Sequence, residues 1–171
     1  MSYKDNIYNL TKEGDFITFL FKGNDQTAAH LRNFIKNKIY SYCINEVKFI
    51  DLQCKDYKEE CLALRFGLLV PDNTNCDDHT VGILNIKGPT MVMSNDIKNL
   101  KIVYNTPLCY LRENEYLHCE LRLKKGCGEL NQKWNPVCGI TFKDISYGVY
   151  QFTFNLIGLL TIDDIMLQLN K

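Results

Sequence analysis

The residues of this 171-residue chain that could do chemistry are eight cysteines, three histidines and three adjacent acidic pairs. A structural zinc site normally announces itself as paired Cys or His ligands at short spacing. No C-x-x-C pair occurs; the closest ligand-like spacing is Cys76-x-x-His79, and no second pair completes a tetrahedral site. A nucleophilic thiol needs a base within hydrogen-bond reach. His118 and Cys119 are adjacent in YLHCELRLK (116–124), where strict alternation predicts a strand. Successive strand side chains point to opposite faces, so neither residue activates the other. Cys127 and Cys138 are a further thiol pair, and spacing leaves open whether they meet.

The other candidates are weaker. Glu59-Glu60, Asp77-Asp78 and Asp163-Asp164 fall at a helix, in a polar loop and at a helix start, where a helix dipole already favours carboxylates. Lys125-Gly126-Cys127-Gly128 contains a G-x-G. A phosphate cradle needs a helix N-terminus behind such glycines, whereas here the chain runs on to Trp134-Asn135-Pro136, as a turn or bulge needing open backbone angles would. No nucleotide-loop, zinc-protease or nucleophile-elbow motif occurs. The residues assemble no catalytic constellation; neither a metal nor another cofactor is expected.

Composition sets the frame for the elements that position these residues. Apolar residues make up 46% and charged residues 23%, with twenty basic against twenty acidic side chains. That is ordinary globular composition, and it lacks the basic excess of a domain that grips a nucleic-acid backbone alone. No apolar run is long enough to cross a bilayer. MSYKDNIYNL has no signal-type apolar core, so the cysteines are expected as free thiols in a reducing, intracellular compartment.

Along the chain, DFITFLFKG (15–23) reads as a strand buried on both faces, followed by a turn and a helix capped by Asp25 or Thr27. Ala28, Leu31, Ile35, Ile39 and Tyr42 recur at helical spacing as one apolar stripe, which Phe34 either widens or leaves to reach a neighbour. Such a stripe suits a core or a partner face. EVKFIDLQ (46–53) predicts a strand, KDYKEECLALR (55–65) a short helix, DNTNCDDHT (72–80) a loop and VGILNIKGP (81–89) another strand. Residues 148–156 alternate as a strand. Thr161 with Asp164 resembles a capping box that opens a final amphipathic helix.

Several segments, in this order, resemble the alpha-type assembly subunits of multisubunit RNA polymerases: the bacterial alpha subunit, the archaeal D subunit and the eukaryotic third-largest subunit. TAAHLRNFIKNKIYSYCINEVKF (27–49) is similar to the family's "NALRR…EVPT.AI..V", LALRFGLLVP (62–71) to "AHRLGLIPL" and IKGPTMVMSNDI (86–97) to "GP..V.A.DI". LRLKKGCGELNQKWNPVCGITF (121–142) resembles "L...KG.G..HAKWSPV", and VYQFTFNLIGLLTIDDIML (149–167) resembles "Y.F.VES.G.L.PEEI".

The resemblance implies an α+β fold with a discontinuous dimerisation lobe of strands and amphipathic helices (1–50 and 140–171) and an inserted strand-rich lobe (51–139). It implies a non-catalytic assembly subunit. The dimerisation lobe would pair with a smaller alpha-like subunit, and the pair would form the platform for the two large catalytic subunits of a nucleotidyltransferase complex. Leu31, Phe34, Ile35 and Ile39 are then expected at the partner interface. Arg32, Arg65, Lys125, Gly126, Gly128, Lys133, Trp134 and Pro136 are expected to dock a large subunit. Neither sequence-specific DNA binding nor membrane attachment is implied.

The departures are Asn33, Leu64 and Asn131, where the family has an arginine and two histidines. The family's cysteine-rich zinc loop is reduced here to Cys76 and His79, and the chain stops near the start of the family's last long helix. A compact homologue of the kind a large DNA virus or linear plasmid encodes would account for this trimming. Such a protein would work in the nucleus or the cytoplasm, including a viral factory or virion. The alternative is a stand-alone interaction module or transcription regulator that uses the same fold.

Overall fold

A computed structural model describes residues 3–170; residues 1, 2 and 171, at the ends of the expected dimerisation lobe, lie outside the described residues. The fold is α+β, with three α-helices and nine strands in three antiparallel sheets among the described residues. The chain divides into two compact units, one made of 1–41 with 126–171 and the other of 42–125.

The first unit is built on a four-stranded sheet in the order β1 (Ile7–Glu13), β2 (Phe16–Lys22), β9 (Val149–Leu156), β8 (Val137–Ser146). Its central pair, β2 and β9, joins the beginning of the sequence to its end, with Phe19 opposite Phe152 and Ile17 opposite Phe154. Alternation gives each strand one apolar face. Ile17, Phe19, Phe21, Tyr150, Phe152 and Phe154 are buried, while Phe16 on the other face of β2 is exposed. The expectation that 15–23 is buried on both faces is thereby corrected: one face is core and the other is at most half-buried. The rings of Phe19 and Phe152 stack with centroids 5.0 Å apart, and Phe142 stacks on Phe152 at 5.2 Å.

Helix α1 (Asp25–Asn37) and helix α3 (Ile162–Gln168) add their apolar sides to the same core. The cap of α1 is Asn24 rather than Asp25 or Thr27: its side chain accepts from Thr27 N at 2.9 Å, and Thr27 Oγ1 accepts from Asn24 N at 2.9 Å. This reciprocal box satisfies two backbone donors that a helix start otherwise leaves open. Asp25 has another task, accepting the Tyr150 hydroxyl at 2.7 Å and so tying the first helical turn to β9. That bond, with burial, pushes the Tyr150 phenol up to about 12. Thr161 and Asp164 cap α3 reciprocally, in accordance with the sequence pattern. Because α1 ends at Asn37, Tyr42 belongs to a strand and not to the helix stripe.

The second unit contains a three-stranded sheet in the order β3 (Tyr40–Gln53), β7 (Tyr116–Cys127), β4 (Val81–Lys87), a two-stranded ribbon of β5 (Thr90–Met93) and β6 (Pro107–Leu111), and helix α2 (Glu59–Gly67). Its core gathers Leu62 and Phe66 from α2 with Leu84, Val92, Leu108, Leu117, Cys119 and Leu121 from the strands. Glu115 is its one buried carboxylate among the described residues. It accepts from Lys55 N and Arg112 N, at 2.9 and 2.8 Å, which holds its pKa below the ordinary carboxylate value. The boundaries between the units lie at 41/42 in β3 and 125/126 in β7, whereas the expected limits lie at 50/51, near the end of β3, and 139/140, near the start of β8.

Candidate functional site

The segment richest in unusual residue types, 125–136, folds back on the end of α1. After β7, Cys127 O accepts from Leu130 N and Asn131 N, closing a turn. The Asn131 side chain accepts from Lys133 N at 3.0 Å and starts the short 3-10 turn Gln132–Trp134. The indole of Trp134 then covers Gly126, leaving room there for no side chain: a Cβ at 126 would stand 2.5 Å from the ring. A Cβ at Gly128 would stand 2.5 Å from Lys36 O, so the backbone lies directly against α1.

Further bonds fasten the loop. Glu129 N donates to Asn37 O at 3.0 Å, satisfying a carbonyl that the helix end would leave open. Ser41 Oγ donates to Trp134 O at 2.8 Å, and Lys38 pairs with Glu129. Lys133 Nζ sits 4.5 Å from the Trp134 ring centroid. The two glycines are therefore required for close approach, and the tryptophan is the clasp.

The residues expected to dock a large subunit differ in exposure. Gly126, Trp134 and Pro136 are buried within their own unit, Trp134 to 6% exposure. They shape the loop and offer no free surface. Lys125 and Glu129 are exposed, Lys133 and Gly128 half-buried, and Leu130 stands 67% exposed at the tip. Lys125 Nζ lies 5.6 Å from the Tyr42 ring centroid.

The apolar stripe of α1, and Ile39 just beyond the helix end, face inward. Leu31, Ile35 and Ile39 are fully buried in the core formed with Phe19, Phe152 and Phe154. These three cover their own sheet, so of the four residues expected at a partner interface Phe34 keeps the most accessible surface. Phe34 differs: it is half-buried, packs at the core's edge and meets the Tyr3 ring at 5.7 Å. On α3, Met166 is half-buried and Leu167 is 65% exposed.

The arginines are held from within. Arg32 is exposed, but its Nε donates to Ile140 O at 3.2 Å. Arg65 Nη1 donates to Leu108 O at 2.5 Å, and the guanidinium lies 4.9 Å from the Tyr57 ring centroid. Beside Arg65, Leu64 on α2 and Leu68 at its C-cap are 71% and 81% exposed. Leu64 stands in the sequence only as a departure from the family pattern, and Leu68 is not among the expected docking residues. The signal was available: Leu62, Phe66 and Leu69 already fill the buried side of that segment, which leaves Leu64 and Leu68 on the opposite one.

The thiols are distributed as strand geometry requires. Cys119 lies opposite Leu84 and is fully buried, while His118 lies opposite Asn85 on the other face. Burial pushes the Cys119 thiol up to about 12 and that of Cys109 to about 11, the reverse of nucleophile activation. Cys61 and Cys138 are exposed, and Cys127 is buried, so 127 and 138 do not form a disulfide. Cys76 Sγ donates to Asp72 O at 3.1 Å. The Asp77 carboxylate accepts from His79 N and Thr80 Oγ1, an ordinary loop cap. Among the described residues no three His, Cys, Asp or Glu side chains converge as metal ligands, and no helix is long and apolar enough to cross a membrane.

No protein-family model matches the chain, and no curated protein matches it.

Proposed function

We propose that the chain is a non-catalytic assembly subunit of a DNA-directed RNA polymerase, pairing with a smaller alpha-like subunit to form a platform for the two large catalytic subunits. The observation that carries this reading is the discontinuous first unit. Strands from the two ends of the sequence share one sheet, with Phe19 opposite Phe152, while 42–125 forms a unit of its own. A discontinuous lobe around an inserted one, though with other limits than expected, supports the reading. The fastened loop at 125–136 adds to it, because the glycines, Lys133 and Trp134 of the "KG.G…KW.P" pattern act together in fixing one surface shape.

In this reading the partner contacts come from the rim of the helical layer and not from its stripe. Phe34, Met166 and Leu167 face the small subunit. Exposed Leu64 and Leu68 beside Arg65, together with Arg32, Lys125 and the loop tip at Leu130, are the surfaces offered to the large subunits. Depletion of the chain in the cells that make it tests the role. The two large subunits should then fail to co-sediment as one particle; normal particle formation without the chain overturns the reading.

A further inference from the structure

A cleft of about 920 Å³ in the second unit belongs to none of the surfaces assigned above. One wall comes from the loop at 72–80 and the other from the segment 95–105. Its floor is aliphatic, made by Ile97, Leu100 and Ile102, each buried to about 5–6% exposure. Four carboxamides rim it, those of Asn75, Asn95, Asn99 and Asn105, all on exposed residues. None of them spends its side chain on a hydrogen bond inside the chain among the described residues.

Charge does not select the ligand. Asp72, the carboxylate in the cleft, accepts from Lys101 Nζ at 2.8 Å and from Thr74 N at 3.1 Å, and is thereby neutralised and occupied. What remains free is a set of groups that each carry one acceptor and a pair of donors, above an apolar floor. A carboxamide has the hydrogen-bonding pattern of the peptide group itself. The ligand that matches is a chain of peptide groups with alternate side chains turned down onto aliphatic surface, which is what an extended strand presents. Sugar rings are usually seated on aromatic faces, and the floor here has none.

The geometry points to this cleft as a binding site for an extended, uncharged peptide segment, held through its main chain by Asn75, Asn95, Asn99 and Asn105. Asn99 makes the site testable without disturbing the fold. It sits in the left-handed region, at φ 62°, where glycine is at ease, so Asn99→Gly deletes the carboxamide and keeps the backbone.

The site is independent of the polymerase reading and is tested on the full chain alone. The probe is a capped hexapeptide of alternating serine and valine, titrated into the protein with side-chain amide NMR signals assigned. Maltohexaose serves as a saccharide control. The peptide should shift the Asn75, Asn95, Asn99 and Asn105 signals saturably. Asn99→Gly should weaken binding about tenfold, the equivalent of one hydrogen bond made through an otherwise fitted contact, with the remaining spectrum unchanged. Absence of shifts at saturating peptide, undiminished binding by Asn99→Gly, or shifts from maltohexaose alone each overturn the proposal.

Discussion

Trp134 lies over Gly126 so closely that the smallest possible side chain at 126 would meet the indole at 2.5 Å. The loop at 125–136 is thus a backbone-to-ring contact fastened at the end of α1. Gly126→Ala forces the indole out or the strand aside, and overpacking of this kind costs about 1–3 kcal/mol. Denaturant unfolding monitored by fluorescence of Trp134, the chain's one tryptophan, reads both effects. A midpoint and emission spectrum equal to those of the unchanged chain would mean that the ring does not rest there.

The stripe on α1 and its rim separate stability from partnership. Leu31 is fully buried, so Leu31→Ala should cost about 2–5 kcal/mol, and Leu31→Asp should prevent the first unit from folding. Phe34→Asp and Leu167→Asp alter half-buried and exposed positions. Both variants should keep a cooperative thermal transition while losing the small alpha-like subunit in pull-down. Retention of that subunit by both moves the interface elsewhere on the lobe.

Much of this framework is legible in the sequence, and the exceptions have physical causes. Alternation in 116–124 and 148–156 identifies β7 and β9 because each strand has one dry face. Strand β1 carries no such signal, since as an edge strand it is almost wholly exposed. Period alone gives α1 an apolar side but not its destination, for Leu31 and Ile35 would recur identically facing a sheet or a partner. Trp134 poses the same ambiguity. A tryptophan between glycines and a proline suits a docking residue or a clasp, and only the approach of Gly126 from β7 decides between them.

Thiol reactivity distinguishes burial from activation. With Cys109 and Cys119 pushed up to about 11 and about 12, both remain protonated at pH 8. Exposed Cys61 and Cys138 should therefore react with a disulfide reagent first, and Cys109 and Cys119 only as the chain unfolds. Labelling of Cys119 in the folded chain at the rate of Cys61 would mean that burial does not protect its thiol.

Asp72 gives the acid limb of stability a named contributor. Lys101 and Thr74 hold its pKa at about 2, below the ordinary 3.8. A depressed carboxylate stabilises the fold above its unfolded pKa, and the contribution is lost as pH falls through the folded value. Asp72→Asn should lower stability at neutral pH and flatten its decline between pH 4 and 2, measured by thermal unfolding across that range. An unchanged slope would remove the Lys101 pair as the cause.

The central claim is membership of a polymerase, and the most direct measurement is affinity purification of the tagged chain from the cells that make it, followed by mass spectrometry of the intact complex. The account predicts recovery with two large RNA polymerase subunits and a smaller alpha-like subunit in fixed stoichiometry. Recovery of the chain without any polymerase subunit would contradict it.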